Sequence, residues 1–258
     1  MLRPLVPEIS DLHFRNGNSA RVLSLLDQTT TLEALDRMGF SMAQPTLVII
    51  GGASLMSAES IERLQAVFAQ VLAPLAQSLS LTVLDNGTDA GVASLMGQAR
   101  CTAGGNFPLI GVVPQGKARF PNDRRFNDSC CDLEPNHTNF FLIPGNDWGS
   151  ESSWLAKLAS QISVGRPALN ILVNGGRAAL VDLQENLATG RPTIVLLGSG
   201  RLADSIAAAI ESASSETDPA ILELIQHYQP SGKLRVIDLF SPIDRIRDCL
   251  QQYFSSTF

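Results

Sequence analysis

Cysteine is scarce in this chain and badly spaced for cross-linking. The four present, Cys101, Cys130, Cys131 and Cys249, are too few and too irregular for the disulfide scaffold of a secreted domain, and the adjacent pair has no second ligand cluster with which to hold a metal ion. Histidine is scarcer still: His13, His137 and His227 lie far apart, so no metal site can be read from their spacing. Positive charge is also in deficit. A net charge of −6 argues against a nucleic-acid surface, which needs a basic face to displace counterions. No apolar run approaches the roughly 20 residues that span a bilayer, and the opening MLRPLVPEIS holds no apolar segment of signal-peptide length. A G-x-S-x-G nucleophile elbow is missing as well. The expectation is a soluble, cytoplasmic protein that inserts in no membrane, binds no nucleic acid and needs no metal or resident cofactor.

The chain has enough apolar residues, 45% of 258, to bury a core as one large domain or two small ones. Its apolar residues alternate between two periodicities. TLVII (46 to 50), LTVL (81 to 84), PLIGVV (108 to 113), NFFLIP (139 to 144), LNILV (169 to 173), TIVLL (193 to 197) and LRVIDLF (234 to 240) read as short buried strands. Between them apolar residues recur at helical spacing. Ser57 is placed to cap one helix carrying Ile61, Leu64, Phe68, Val71, Leu72 and Leu75, and Val92, Leu95, Met96 and Ala99 mark the next. Trp154 to Ile162, Leu180 to Leu187, Leu202 to Ala213 and Pro242 to Tyr253 complete the series. Strands alternating with helices predict an α/β fold, a Rossmann-like, doubly wound, mostly parallel sheet with helices on both faces. The expected organisation is an N-terminal extension over 1–44, one domain over 45–254 and a tail over 255–258.

Ligands of such sheets sit at the carboxyl edge of the strands. Four strand ends carry glycine: Gly51-Gly52, Gly87, Gly175-Gly176, and Gly198 with Gly200. Glycine admits close approach of backbone to ligand, and it also makes tight turns, so each loop alone has both readings. Asn86-Gly87 is in addition a hairpin dipeptide, but a helical pattern follows it. Together the four loops point to a phosphate-bearing ligand held at helix N-termini. GSGRLA (198 to 203) also fits the dinucleotide fingerprint G-x-G-x-x-A of NAD-dependent oxidoreductases. Its context argues against that reading, because ESASSETDP follows with no strand and the motif lies late in the chain.

The ordered blocks IIGGA (49 to 53), NGTDAGVASLMGQA (86 to 99), PLIGVVPQG (108 to 116), NHTNFFLIPG (136 to 145), VNGGRAALVDL (173 to 183) and LLGSGRLADSIA (196 to 207) resemble the LSDAT domain. This ligand-sensing module occurs in prokaryotic proteins and in the cytosolic N-terminal region of melastatin-type TRP channels, and is a branch of the SLOG superfamily of Rossmann-like nucleotide binders. The resemblance implies a sensor or binding protein for a nucleotide-derived ligand related to ADP-ribose or NAD, expected to be a homo-oligomer and to report to a separate effector protein. It implies ligand contacts at Gly51, Gly52 and Ala53, at Gly87, Thr88 and Gly91, at Gly175, Gly176 and Arg177, and at Gly198, Ser199, Gly200 and Arg201. Thr88 has the alternative of capping its helix. Arg201 opposes the dipole of a helix it would start, which a bound phosphate explains and a solvated surface arginine also satisfies. His137 and Asn139, in a stretch similar to the family's N-H-x-x-F element, have a ligand reading beside a structural one.

The lonely-guy phosphoribohydrolases of the same superfamily carry P-G-G-x-G-T-x-x-E at the third loop. Here the loop reads Asn174-Gly175-Gly176-Arg177-Ala178-Ala179-Leu180-Val181-Asp182, without the proline, the third glycine and the threonine, and with a shorter acid. Those losses argue against N-glycosidic hydrolysis; were the chain a hydrolase, Asp182 would be the catalytic carboxylate, and otherwise it is a solvent-facing helix acid. The polar stretch from Pro114 to Asn136, with Lys117, Arg119, Arg124 and Arg125, has little apolar surface to hold it. It is expected to move when the protein is empty and to close over the ligand.

Overall fold

The computed structural model describes residues 8–121, 123, 130–215 and 217–255. The chain opens with an antiparallel pair, β1 (Glu8–His13) and β2 (Ser19–Ser24), followed by helix α1 (Thr31–Met38). Then come β3 (Thr46–Gly51), α2 (Ala58–Val67), α3 (Ala73–Ser78), β4 (Thr82–Asp85), α4 (Gly91–Thr102) and β5 (Leu109–Pro114). Two dipeptide strands, β6 (Ala118–Arg119) and β7 (Cys131–Asp132), pair with each other within the long polar stretch before β8 (Asn139–Ile143). The rest is α5 (Ser152–Ile162), β9 (Ala168–Val173), α6 (Arg177–Ala188), β10 (Thr193–Leu197), α7 (Arg201–Glu211), α8 (Pro219–Tyr228), β11 (Leu234–Asp238) and α9 (Ile243–Ser255).

Nine strands form one sheet in the order β1, β2, β8, β5, β4, β3, β9, β10, β11, parallel throughout except between β1 and β2. The central strands are apolar and buried on both faces, as a parallel sheet covered by helices requires. One face packs on α1, α5, α6, α7 and α8 through residues such as Leu35, Leu158, Leu183, Ile206 and Leu224. The other packs on α2, α3, α4 and α9 through Leu64, Leu75, Met96 and Ile246. This is the Rossmann-like, doubly wound α/β architecture read from the sequence. Residues 8–44 contribute to it: β2 pairs in parallel with β8, and Leu23 and Leu25 are buried in the main core.

One predicted helix is two. The apolar stripe from Ser57 to Leu75 is broken by a π-helical turn at Phe68–Leu72. Pro74 lies two residues beyond it and has no N–H to give Gln70, so the α-helical ladder cannot continue through this point. Helix α8 was not foreseen among the residues after 211; Asp218 caps it and Pro219 starts it.

Topology opens a crevice at the carboxyl edge of the sheet. From β3 the chain winds outward through β4 and β5 to β8, and then returns to β9 on the opposite side of β3. The loops after β3 and β9 therefore diverge to opposite faces, leaving a crevice between Gly51 and Val173, which are level in the sheet. Among the described residues no helix is long and apolar enough to cross a membrane.

Candidate functional site

A cleft of about 620 Å³ occupies this switch point. The turn after β3 lines it with Gly51, Gly52, Ala53 and Ser54, and the loop into α4 with Asn86, Thr88, Ala90 and Gly91. The start of α6 contributes Gly175, Gly176, Arg177, Ala178, Ala179 and Asp182, and Arg201 closes one end. Cys131, Trp148 and Glu151 complete the wall. The loops meet because the strand ends are glycine. At Gly51, φ is 128° and a Cβ would fall 1.8 Å from the Val173 carbonyl oxygen, so no other residue fits. Gly91 rests on the turn after β3 in the same way, its missing Cβ being 3.2 Å from Ala53 N.

The helix starts divide into two kinds. Thr30, Ser57 and Asp218 cap α1, α2 and α8 with side-chain oxygens, whereas α3, α4, α5, α6 and α7 have no side-chain cap, α4 and α6 beginning at Ala90 and Gly176. Among the described residues no protein group accepts from the N–H of Val92, Ala93, Arg177, Ala178 or Ala179. The starts of α4 and α6 both border the cleft, so it offers free N–H donors and the positive ends of two helix dipoles. The fourth glycine loop differs. The N–H groups of Leu202 and Ala203 already donate to the carbonyls of Gly175 and Asn174, and α7 has no free first turn to give a phosphate.

Arg201, the first residue of α7, stands at φ 49°, a strained conformation for a side chain of this size. Its guanidinium crosses the switch point and donates to Ser54 Oγ at 2.7 Å. Beneath it Asn174, fully buried at φ 51°, holds three loops together. Its Nδ2 donates to the carbonyls of Ser54 and Ser199 at 3.2 and 2.8 Å, and its Oδ1 accepts from Gly175 N at 2.7 Å. Ser199 is buried in turn, accepting from Asn174 N and donating to the Leu196 carbonyl. Ser199 therefore shapes the cleft from behind and does not line it. Gly198 and Gly200 also stand outside the cleft wall.

A pair of carboxyl groups also lines the cleft. Asp182 is 8% exposed, on α6, with its Oδ1 accepting from Ser152 Oγ at 2.6 Å; it is not the solvent-facing acid that the helical pattern allows. Glu151 is 2% exposed and accepts from Gly149 N at 2.7 Å. Burial pushes Glu151 up to about 7, with the Asp182 charge adding to the shift. Burial likewise raises Asp182 to about 6, against the pull of the Ser152 hydroxyl. Neither Glu151 nor Trp148 was visible as a site residue, because the loop from 144 to 151 has no periodicity and reaches the cleft only through the placement of β8. Asn174 had a signal, an amide directly before Gly-Gly at a strand end, a position where such a side chain braces a turn.

Other predicted residues fall elsewhere. Gly87 has φ 66° and packs on Gly111 of β5, a Cβ there meeting Gly111 Cα at 2.7 Å; its glycine serves the close approach of the loop to the sheet. Thr88 does line the cleft, but its hydroxyl donates to Asn86 Oδ1 and caps no helix. Asn139 begins β8, level with Ile110 and Leu84 inside the sheet and away from the cleft wall. His137 is 1% exposed and also lies outside the wall. Its Nδ1 donates to Glu134 Oε2 at 2.7 Å and its Nε2 to Asp85 Oδ1 at 2.8 Å. Burial opposes the charge on this ring, but the two carboxylates outweigh it and lift the imidazolium to about 9. This buried trio braces the second loop, since Gly87 N donates to Asp85 Oδ1 and Glu134 N to the Gly87 carbonyl. In the long polar stretch Arg119 pairs with Asp132 at 2.6 Å; Arg124 and Arg125 lie outside the described residues.

Comparison with known proteins places the chain in a family. The family described as SLOG in TRPM, prokaryote, of the LSDAT type, matches residues 44–246. Transient receptor potential cation channel subfamily M member 2 of Rattus norvegicus is 23% identical over 197 residues, covering 62% of this chain and 13% of the channel. The same protein of Mus musculus is 22% identical over 251 residues, covering 83% and 16%. The chain thus spans a small part of the length of these curated relatives. An X-ray structure of TM1055, a structural genomics target, superposes with a TM-score of 0.51 at 17% identity, covering 81% of this chain and 99% of that one, a likeness of fold. By its match over residues 44–246 this chain belongs to the prokaryotic LSDAT family, the SLOG domain of TRPM type.

Proposed function

We propose that the chain is a cytoplasmic sensor that binds a nucleotide-derived ligand, related to ADP-ribose or NAD, through its phosphate. The uncapped start of α6, with free N–H groups at Arg177, Ala178 and Ala179 and the guanidinium of Arg201 beside them, carries this reading. An anion is the group that satisfies both at once. Kinship with the ligand-sensing family and with the N-terminal part of a channel supports binding coupled to a report, through conformational change or assembly with a further copy or an effector. Calorimetric titration with AMP, ADP-ribose, cyclic ADP-ribose and NAD tests it. Binding of at least one in the micromolar range is expected, and failure of all four contradicts the reading.

The buried carboxyl pair favours a second reading, hydrolysis of a nucleotide N-glycosidic bond. With Glu151 at about 7 and Asp182 at about 6, one acid and one base coexist near neutral pH. Water would add to the anomeric carbon as the C–N bond breaks, its proton passing to the base of the pair while the acid protonates the departing nitrogen. Release of free base from AMP by the purified protein, abolished in Asp182→Asn, supports this; intact AMP after prolonged incubation removes it.

A further inference from the structure

Positive charge gathers at the opposite edge of the sheet, where the strands begin. β9, β10 and β11 are neighbours, and a basic residue precedes each: Arg166 stands two residues before β9, Arg191 two before β10 and Lys233 directly before β11. A pocket of about 290 Å³ opens among these strand starts and the ends of α5 and α6, lined by Arg166 and Arg191 with Ser160, Ser163, Thr189 and Tyr253. Two more cations border it. Lys233 Nζ lies 3.4 Å from where a Cβ on Gly190, also in the wall, would be, and the Arg235 guanidinium is 5.9 Å from the centre of the Tyr253 ring. Among the described residues no acid lines the pocket, and none of the four cations forms an ion pair.

Arg191 differs from an ordinary surface arginine. It is 5% exposed, and its guanidinium donates only to neutral groups: the side chains of Asn170, Asn186 and Ser160 and the carbonyl of Ala156. Its Nε, shut off from solvent, has no acceptor. Burial pulls this group down to about 10, and no carboxylate is near enough to oppose that shift. A guanidinium still keeps its charge at neutral pH, and a buried charge without a counter-ion is strongly unfavourable.

The surrounding helices answer only part of that charge. α5 and α6 end at Ser163 and Thr189 in the pocket wall, and each C-terminus supplies about half a negative charge. Together they amount to about one, against four full cations. We propose that this pocket is an anion site separate from the switch-point cleft, and that it takes a phosphate-sized dianion. Two negative charges match the surplus, and arginine pairs well with tetrahedral oxyanions. The volume, under half that of the cleft, suits such an ion rather than a whole nucleotide.

Titration of inorganic phosphate into isotopically labelled protein, at constant ionic strength with chloride as the balancing anion, tests the site. Backbone amides and arginine Nε–H signals are followed together. Saturating shifts are expected at Arg166, Ala168, Gly190 and Arg191, the Arg191 Nε–H among them, half complete below about 5 mM. Arg166 is exposed, so Arg166→Ala should keep the fold and weaken this binding at least about fivefold; adding Lys233→Ala should weaken it about tenfold or more. Arg201→Ala, in the other cleft, should leave it within about twofold. Should a variant fail to fold, the wild-type shifts alone decide where phosphate binds. Signals here that drift without saturating, saturation confined to the amides around Gly176, loss of binding in Arg201→Ala, or undiminished binding by the folded double variant overturns the site.

Discussion

Arg201 Nη1 donates to Ser54 Oγ at 2.7 Å, so one side chain ties the loop after β3 to the start of α7 across the point where the sheet changes winding direction. The contact is exposed and its partner neutral, so it contributes little to stability. Arg201→Ala is therefore expected to leave the melting temperature nearly unchanged. Affinity for a phosphate ligand should fall by about 2 to 4 kcal/mol, the range for removing one partner of a desolvated charge pair. A titration beside a ligand-free melt separates the two effects, and normal binding by the folded variant would move the phosphate site away from this wall.

Substitutions at two neighbouring glycines should separate binding from folding. At Gly176 φ is −121°, so no left-handed backbone is needed there; a Cβ would instead meet Arg201 Nη2 at 2.6 Å, the far end of a flexible side chain. Gly176→Val should displace the guanidinium and weaken binding at a stability cost of about 1 kcal/mol or less. Gly51→Ala should cost about 3 kcal/mol or more, because its Cβ would strike the Val173 carbonyl and its φ of 128° is strained. Urea denaturation of both variants checks the order, which would be reversed if Gly176 were the turn-forming position.

His137 makes stability depend on alkaline pH. Its folded pKa of about 9 exceeds the ordinary 6.5, so its contribution is complete below pH 6.5 and is lost as pH rises through 9. The loss should amount to about 3 kcal/mol between those limits, read from urea midpoints at pH 6, 7, 8 and 9. His137→Gln should shrink that slope and cost about 3 to 5 kcal/mol at pH 7, because Asp85 and Glu134 would be left buried without a counter-charge. A variant that keeps the full slope would show that another group titrates there.

Glu151 acts in the same direction at lower pH. With its folded pKa raised to about 7, a stabilising contribution present below the unfolded value is lost as pH rises through 7. Glu151→Gln keeps an oxygen for Gly149 N and removes the buried charge. It should gain about 1 to 2 kcal/mol at pH 8 and nothing at pH 5, where the wild-type acid is protonated. Equal stability at both pH values would mean that Glu151 is ionised at no cost.

The parts of this fold that could be read in advance are those set by local periodicity. The main-sheet strands from Thr46 to Asp238, but not the dipeptide strands β6 and β7, and most helices between them follow from runs and stripes of apolar residues, and three of the four glycine loops reach the cleft. What escaped notice depends on contacts distant in sequence. Asp85 and His137 are 52 positions apart, and no spacing shows that they bond. The β1 strand is almost wholly exposed, so its apolar content carries no pattern. Ser199 and Asn174 look like turn residues, and only the folded loops show that they brace each other at 2.8 Å.

The most direct measurement is an amide titration: backbone nitrogen and proton shifts recorded as ADP-ribose is added to isotopically labelled protein. If a phosphate occupies the uncapped end of α6, the largest shifts should fall on Gly176, Arg177, Ala178 and Ala179, whose N–H groups have no partner among the described residues, with Val92 and Ala93 next. Saturating shifts confined to other residues, with these amides unmoved, would contradict the assignment of the switch-point cleft as the ligand site.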